Sequence, residues 1–206
     1  MNLHSPGPRS LGFVLASASP ARAALLRQIG LSFEVVPSRI REDDIPSDGP
    51  RDKVISLSQA KAQHVAEHLR DKVIIAADTV VVLDDEILGK PENQEAAEGM
   101  LSLLSGRWHH VVTGVTVLDA STGARSSCHE VTGVRMKDLS CQAIKTYVES
   151  GEPLGKAGAY AIQGRGGIFI ESIKGCYFNV VGLPLAKLPN IFSDIGINIY
   201  NELFRR

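Results

Sequence analysis

Apolar residues along this chain alternate between helical spacing and short continuous runs, and this pattern predicts an α/β protein. Predicted strands cover residues 11–16, 33–37, 73–83, 87–88, 111–118, 126–136, 168–173 and 177–181. Predicted helices cover residues 20–28, 50–69, 94–104 and 141–150, with a closing helix from 185 onward. Residues 1–10 contain Pro6, Gly7 and Pro8 and lack an apolar stretch, so we expect a flexible tail before one domain of residues 11–206.

One carboxylate lies in the middle of the most apolar predicted strand. Residues 73–83 read Val-Ile-Ile-Ala-Ala-Asp-Thr-Val-Val-Val-Leu, with Asp78 near the centre. Continuous β-branched and apolar residues indicate a strand that is buried on both faces. Because an ionised carboxylate loses several kcal/mol of hydration there, the pattern predicts that a metal, a lysine or a substrate meets Asp78. The alternative is an Asp78 that turns outward at a strand end and caps a loop.

Lys61 interrupts an apolar helix face in a similar way. The apolar stripe of the helix that begins at Pro50 consists of Val54, Leu57, Val65 and Leu69. Lys61 projects from the centre of this stripe, so its ammonium group either extends to solvent or meets an anion. Lys90 precedes Pro91, which holds it in an extended conformation at the end of a loop. An ordinary exposed lysine is the alternative at that position.

A strand-to-helix connection carries a candidate anion site. Residues 17–22 read Ser-Ala-Ser-Pro-Ala-Arg, with Ser19 as the predicted N-cap and Pro20 at the first helical position. Free backbone N–H groups at the helix terminus, the hydroxyls of Ser17 and Ser19 and the guanidinium group of Arg22 together favour anion binding. A capped helix with a surface arginine is the alternative.

Two further motifs are less specific. Residues 163–167 read Gln-Gly-Arg-Gly-Gly, and these glycines either let the backbone approach a base or phosphate or form a plain turn. Residues 64–68 read His-Val-Ala-Glu-His, which matches the inverted zinc-protease pattern on a helix. No downstream acidic ligand stands out, so a zinc protease is a minor alternative.

Composition excludes several classes of protein. The chain has 206 residues, of which 44% are apolar, so it can bury a substantial core. Its net charge of −1 argues against a nucleic-acid binder, and no apolar run reaches membrane-spanning length. The three cysteines are far apart and form no Cys-x-x-Cys motif, which fits a reducing cytosol and predicts a cytoplasmic protein.

Taken together, the motifs resemble the Maf family of nucleoside-triphosphate pyrophosphatases, also called septum-formation-inhibitor-like proteins. The matching segments are residues 15–20, 60–62, 77–80, 89–91, 104–107, 156–164 and 181–184. They follow the order of the family and span nearly the whole chain after the tail. The resemblance implies one elongated α/β domain with a twisted mixed β-sheet flanked by helices, and two lobes around a cleft, as in Maf and inosine-triphosphatase-like proteins.

The resemblance also implies hydrolysis of a nucleoside triphosphate to the monophosphate and pyrophosphate with Mg²⁺ or Mn²⁺. Asp78 matches the proton acceptor of the family, and Glu42 matches an acidic residue that holds the metal together with it. The phosphate-binding cations correspond to Arg22, Lys61 and Lys90, and the hydroxyls of the first loop to Ser17 and Ser19. A house-cleaning role or cell-division arrest, and a homodimer, are further expectations from the family.

Substrate choice rests on three positions. The subgroup of the family that prefers dTTP and UTP is similar to this chain at Thr79 and Gln163, where the 7-methyl-GTP subgroup differs. The residue after Pro20 is usually arginine in the first subgroup and tryptophan in the second, whereas this chain has Ala21. We therefore expect dTTP and UTP as substrates, with a 7-methyl-GTP pyrophosphatase, a non-catalytic nucleotide-binding regulator of septum formation and an inosine- or xanthosine-triphosphate pyrophosphatase as alternatives.

Overall fold

A computed structural model describes residues 12–204 of the chain. The strands are β1 (Gly12–Leu15), β2 (Phe33–Val35), β3 (Lys72–Leu83), β4 (Glu86–Leu88), β5 (Trp108–Asp119), β6 (Arg125–Met136) and β7 (Ile170–Lys174). The α-helices are α1 (Pro20–Gln28), α2 (Pro50–Ala66), α3 (Gln94–Leu104), α4 (Cys141–Glu149), α5 (Tyr177–Val181), α6 (Leu188–Asp194) and α7 (Ile199–Leu203). Short 3₁₀ helices cover Glu42–Asp44, Ala157–Ala159, Arg165–Phe169 and Leu185–Lys187. The predicted flexible tail lies outside the described residues.

The strands form one mixed sheet in the order β2-β1-β3-β5-β6-β7, with β4 paired to β3 beside this path. The strand β1 is parallel to both β2 and β3, whereas β3, β5, β6 and β7 are successively antiparallel. Helices cover the sheet, so the predicted α/β class with a mixed sheet is confirmed. Within the described residues no helix combines the length and the apolar character needed to cross a membrane.

The central strand β3 packs into separate apolar clusters along its length. On one face, Val73 and Ile75 pack with residues of α1 and α6, and Val81 and Leu83 pack farther along with residues of α3 and α4. On the other face, Ile74 and Ala76 pack against the second half of α2, and Val80 and Val82 pack against its beginning. Asp78 and Thr79 therefore lie where one cluster ends and the next begins.

The sheet also has a gap at this point. On the edge of β3 that faces away from β5, the register of β1 ends at Ile75 and that of β4 begins at Val81. Within the described chain, residues 76–80 thus have no strand partner on that edge, although β5 pairs with them on the other. A side chain in the middle of a buried strand can therefore be reached from outside the sheet.

Four predicted elements differ from the structure. The segment Tyr177–Val181 is a helix and not a strand, because Phe178 and Val181 pack on the core at helical spacing and the buried Asn179 donates hydrogen bonds to two neighbouring strands. The long helix ends at Ala66, three residues early, and β7 begins at Ile170 after a 3₁₀ helix. The closing helix is divided into a 3₁₀ helix, α6 and α7, the last two separated by Gly196 with φ +78°.

Candidate active site

A cleft of about 780 Å³ opens beside the gap in the sheet. Its wall includes every residue that the sequence predicts for the site: Ser17, Ser19, Ala21, Arg22, Glu42, Lys61, Asp78, Thr79, Lys90 and Gln163. These residues come from α1, α2, β3 and four loops, so the fold brings together side chains that are up to 146 positions apart, from Ser17 to Gln163.

Lys61 is the partner that the buried carboxylate needs. Its Nζ atom lies 2.6 Å from Oδ1 of Asp78 and 2.7 Å from Oε1 of Glu42. Lys61 is 9% and Asp78 7% exposed, so both charges are largely removed from water. The structure thus excludes both an outward-turned Asp78 and a Lys61 that extends its ammonium group to solvent.

A glycine allows this pairing. Gly114 of β5 lies opposite Asp78, and a Cβ atom there would come 2.3 Å from the backbone oxygen of Val54 in α2. Because only glycine avoids this clash, α2 packs unusually close to the sheet. The close packing places Lys61, about two turns farther along α2, next to Asp78.

Glu42 is the more exposed carboxylate of the pair and lies in the 3₁₀ helix of the preceding loop. Burial raises the pKa of its carboxyl group, but the hydrogen bond and charge of Lys61, with the charges of Lys90 and Arg22, outweigh burial and lower the pKa below its ordinary value. Glu42 is therefore ionised at neutral pH. The two carboxylates converge on one cation.

Arg22 is fixed by hydrogen bonds from all three of its side-chain nitrogen atoms. Nε donates to the backbone oxygen of Gly182 at 2.9 Å, Nη1 to the hydroxyl of Ser17 at 3.1 Å and Nη2 to the hydroxyl of Thr79 at 2.9 Å. Since a guanidinium group has five N–H donors, two remain for a ligand. Burial lowers the pKa of Arg22 from its ordinary value, and the charges of Asp78 and Glu42 oppose that shift.

The predicted start of α1 is confirmed. The side chain of Ser19 accepts a hydrogen bond from the backbone N–H of Arg22, and Pro20 is the first helical residue. Ser17 accepts a hydrogen bond from the backbone N–H of Ser19 at 3.2 Å. Ala21 lies in this first turn on the cleft wall, so a longer side chain there would extend toward a ligand.

Lys90 and Gln163 are exposed side chains on the cleft wall. The loop that carries Lys90 is attached to the 3₁₀ helix Ala157–Ala159, because Gly158 donates its backbone N–H to the oxygen of Gly89 at 3.0 Å. The charge of Lys90 helps to lower the pKa of Glu42, so Lys90 interacts electrostatically with the carboxylate of the site.

Sequence analysis did not single out three further wall residues, Glu152, Lys156 and Tyr160. The hydroxyl of Tyr160 lies 2.8 Å from Nε2 of the buried His109. Burial, helped by the charge of His110, lowers the pKa of His109 to about 4, so this histidine is neutral at pH 7. Lys156 and Tyr160 lie within residues 156–164, one of the segments that match the family, so the sequence could have pointed to them. Glu152 lies outside every matching segment, and no pattern in the sequence distinguishes it.

The donor set fits a hard divalent cation. Mg²⁺ and similar ions are usually bound by one or two carboxylates, with water and substrate phosphates as the other ligands. Asp78 and Glu42 supply two such carboxylates, which already converge on the ammonium cation of Lys61. No group of three His, Cys, Asp or Glu residues that would hold a metal on its own occurs within residues 12–204.

The zinc-protease alternative is therefore wrong. His64 and His68 lie near the end of α2 with ring centroids 5.8 Å apart, and in the described chain no third ligand joins them. The Nδ1 atom of His68 lies 3.2 Å from the backbone oxygen of His64. This contact belongs to the end of the helix and not to a metal centre.

Comparisons with known proteins identify the family of this chain. A family model described as Maf-like protein matches residues 12–195. A dTTP/UTP pyrophosphatase of Ruminiclostridium cellulolyticum is 48% identical over 187 residues, which are 90% of this chain and 97% of the relative. One of Desulforamulus reducens is 48% identical over 186 residues, with the same two shares. The solved structure of a HAM1 protein from Coxiella burnetii is 19% identical, covers 61% of this chain and 73% of its own, and has a TM-score of 0.44. The chain belongs to the Maf-like protein family.

Proposed function

We propose that this Maf-like protein is a nucleoside-triphosphate pyrophosphatase that hydrolyses dTTP and UTP to the monophosphate and pyrophosphate with Mg²⁺ or Mn²⁺. The names of its 48% identical relatives support the reaction and the two substrates. The observation that carries the proposal is the buried Asp78 at the gap in the sheet, paired with Lys61 and Glu42 and facing a cleft with fixed phosphate-binding groups. A protein that only binds a nucleotide needs no such carboxylate.

Asp78 is the general base in this proposal. As the anhydride bond between the α- and β-phosphates breaks, a water molecule adds to phosphorus, and its proton passes to Asp78. Two N–H donors of Arg22, the ammonium groups of Lys61 and Lys90 and the N-terminus of α1 stabilise the negative charge on the phosphate oxygens. Asp78 and Glu42 would hold a divalent ion, which would supply further positive charge to those oxygens and to the departing pyrophosphate.

Base selection belongs to the loop that carries Gln163. The exposed amide of Gln163 both donates and accepts hydrogen bonds, as the edge of thymine or uracil requires. The hydroxyl of Thr79 already bonds Arg22 and Thr113, so Thr79 acts on the substrate by orienting Arg22. Ala21 adds neither a cation nor an aromatic ring to the wall, and selectivity therefore depends mainly on Gln163.

The proposal is tested with purified protein and a panel of nucleotides in Mg²⁺, in Mn²⁺ and in chelator. We expect monophosphate and pyrophosphate from dTTP and UTP with metal and none in chelator. Asp78→Asn should lose about 10² or more of kcat, as is usual when a general base is removed. Asp85→Asn is the matched control, since Asp85 is an exposed residue of the turn between β3 and β4 with φ +67°, which Asn tolerates.

Three results would contradict parts of the proposal. Turnover of a folded Asp78→Asn protein at the normal rate would remove Asp78 from the role of base. A higher kcat/KM for 7-methyl-GTP than for both pyrimidine nucleotides would identify the protein as a 7-methyl-GTP pyrophosphatase. Tight nucleotide binding without any metal-dependent pyrophosphate release would favour the regulator of septum formation.

A further inference from the structure

The loop that carries Gln163 is attached to the protein through one carboxylate and one phenol. Oε2 of Glu152 accepts the backbone N–H of Arg165 at 3.0 Å, and Oε1 accepts that of Gly166 at 3.0 Å. Oε1 also accepts the hydroxyl of Tyr147 at 2.8 Å. The oxygen of Tyr147 in turn accepts the backbone N–H of Ala161 at 3.2 Å.

These bonds lie on both sides of Gln163. Ala161 precedes it by two residues, and Arg165 and Gly166 follow it by two and three. Within the loop, Gly164 donates its backbone N–H to Ala161 and Gly167 donates to Gly164, each at 3.1 Å. The position of the Gln163 amide in the cleft is therefore set by Glu152 and Tyr147, while its own side chain remains exposed for a ligand.

Glu152 and Tyr147 together form the anchor of this loop. Packing holds Tyr147 in place, and hydrogen bonds keep Glu152 ionised. Tyr147 is 5% exposed and packs edge-on against Phe169, with ring centroids 5.1 Å apart. Burial raises the pKa of the Glu152 carboxyl group, but the backbone N–H groups of Gly166 and Arg165 and the hydroxyl of Tyr147 outweigh burial and lower it. Glu152 is thus ionised at neutral pH and is an acceptor for all three donors.

Two glycines of the loop are explained by this anchor. A Cβ atom at Gly166 would come 2.5 Å from the hydroxyl of Tyr147, and one at Gly164 would come 2.5 Å from Oε1 of Glu152. The sequence left open whether these glycines let the backbone approach a nucleotide or form a plain turn. The structure shows that they let the loop approach Glu152 and Tyr147.

We propose that Glu152 and Tyr147 are positioning residues that set the base selectivity of the cleft by holding Gln163, an inference that rests on the proposed function. The hydrolytic centre of Asp78, Lys61 and Glu42 comes from other elements and makes none of these bonds. Loss of the anchor should therefore weaken recognition of the base more than it slows cleavage.

The test compares Glu152→Gln with the unmutated protein on UTP and CTP, whose bases differ at the edge that an amide reads. Glutamine has the same size, but its NH₂ group cannot accept, so one donor of the anchor loses its acceptor. We expect the ratio of kcat/KM for UTP over CTP to fall about 10-fold, the scale of one lost recognition contact. KM for UTP should rise while kcat changes little, because the lost contact binds substrate and transition state equally.

Three controls separate positioning from general loosening. Glu149→Gln removes the same charge from an exposed residue three positions earlier and should leave the ratio unchanged. Tyr147→Phe removes the hydroxyl that bonds Glu152 and the backbone N–H of Ala161, and it should lower the ratio as Glu152→Gln does. In a Gln163→Ala background, Glu152→Gln should change the ratio no further, because both substitutions act through the same side chain.

Binding gives a second readout that does not need turnover. The dissociation constants of UTP and CTP, measured by calorimetry on Asp78→Asn protein with and without Glu152→Gln, should show the same loss of selectivity. Selective binding without hydrolysis in the unmutated protein would overturn the proposed function alone. Two results would overturn this inference and leave the proposed function intact. One is hydrolysis in which both Glu152→Gln and Tyr147→Phe keep the UTP over CTP ratio of the unmutated protein. The other is an equally large fall of that ratio when Glu152→Gln is added to the Gln163→Ala variant.

Discussion

Replacement of Lys61 by methionine should destabilise the protein in a way that a divalent metal repairs. Methionine fills nearly the same apolar path along α2 but leaves Asp78 and Glu42 without their shared cation. Breaking a buried ion pair on one side costs about 3–5 kcal/mol. Because the side chain of Glu42 is 41% exposed and water screens it, we expect the lower end, about 3 kcal/mol.

Thermal and chemical unfolding in chelator measure this loss. A decrease of about 3 kcal/mol corresponds to a decrease in Tm of roughly 6–12 °C for a chain of this size. Addition of Mg²⁺ or Mn²⁺ should raise the Tm of Lys61→Met more than that of the unmutated protein, in which the ammonium group already occupies the space between the carboxylates. Lys53→Met, on the same helix and away from the cleft, should do neither.

A double variant tests the cause. If the loss comes from an uncompensated carboxylate, Asp78→Asn should restore much of the stability of Lys61→Met, and the two effects should be far from additive. The reasoning is refuted if Lys61→Met melts in chelator at the temperature of the unmutated protein, or if metal raises both melting temperatures equally. In that case the contact of Lys61 with the carboxylates does not stabilise the fold.

Three further changes address the rest of the site. Ala21→Arg should increase the preference for dTTP and UTP over CTP about 10-fold in kcat/KM by adding one recognition contact, and an unchanged preference would show that this position does not face the base. Arg22→Lys should lower kcat/KM by at least about 10-fold, since a lysine cannot make the three bonds that hold the guanidinium group, and a normal value would argue against that geometry. The pKa of His109 is lowered to about 4 in the folded protein, so as pH falls from 6.5 to 4 the unfolded chain takes up a proton that the folded protein does not. The free energy of unfolding should therefore fall by up to about 3 kcal/mol over this range. Urea titrations should show a smaller fall with pH for His109→Gln than for the unmutated protein, whereas His68→Gln should show the full fall.

The residues of the proposed hydrolytic centre could be found in the sequence because they break strong local patterns. Asp78 interrupts a buried strand and Lys61 interrupts an apolar helix face, and each violation required a partner. That they are partners of each other could not be predicted, because the register of α2 on the sheet depends on Gly114 and on backbone packing between elements far apart in the chain. The third member, Glu42, was found only through resemblance to the family.

Elements whose structure is decided by tertiary contacts were harder to predict. Tyr-Phe-Asn-Val-Val has the composition of a strand, but the side chain of Asn179 bonds the backbone of Val111 and the hydroxyl of Thr132 and so favours a helix. Glu152 resembles any polar loop residue until the loop folds back over it. By contrast, α1 and α3 match their predicted bounds, since Ser19 and Asn93 cap them locally.

The uninterrupted course of β3 through both halves of the sheet has a consequence for how such proteins diverge. Its centre is held by β5 and by apolar clusters on either side, and one of these clusters includes Tyr147, Val148, Ala159 and Tyr160 of the segment 147–166. Substitutions at the exposed Gln163 can therefore accumulate more freely than substitutions at those buried positions or at Gly158, whose backbone N–H holds the Lys90 loop. Ligand choice can thus diverge at one exposed position of the cleft while the strand that holds Asp78 keeps its course.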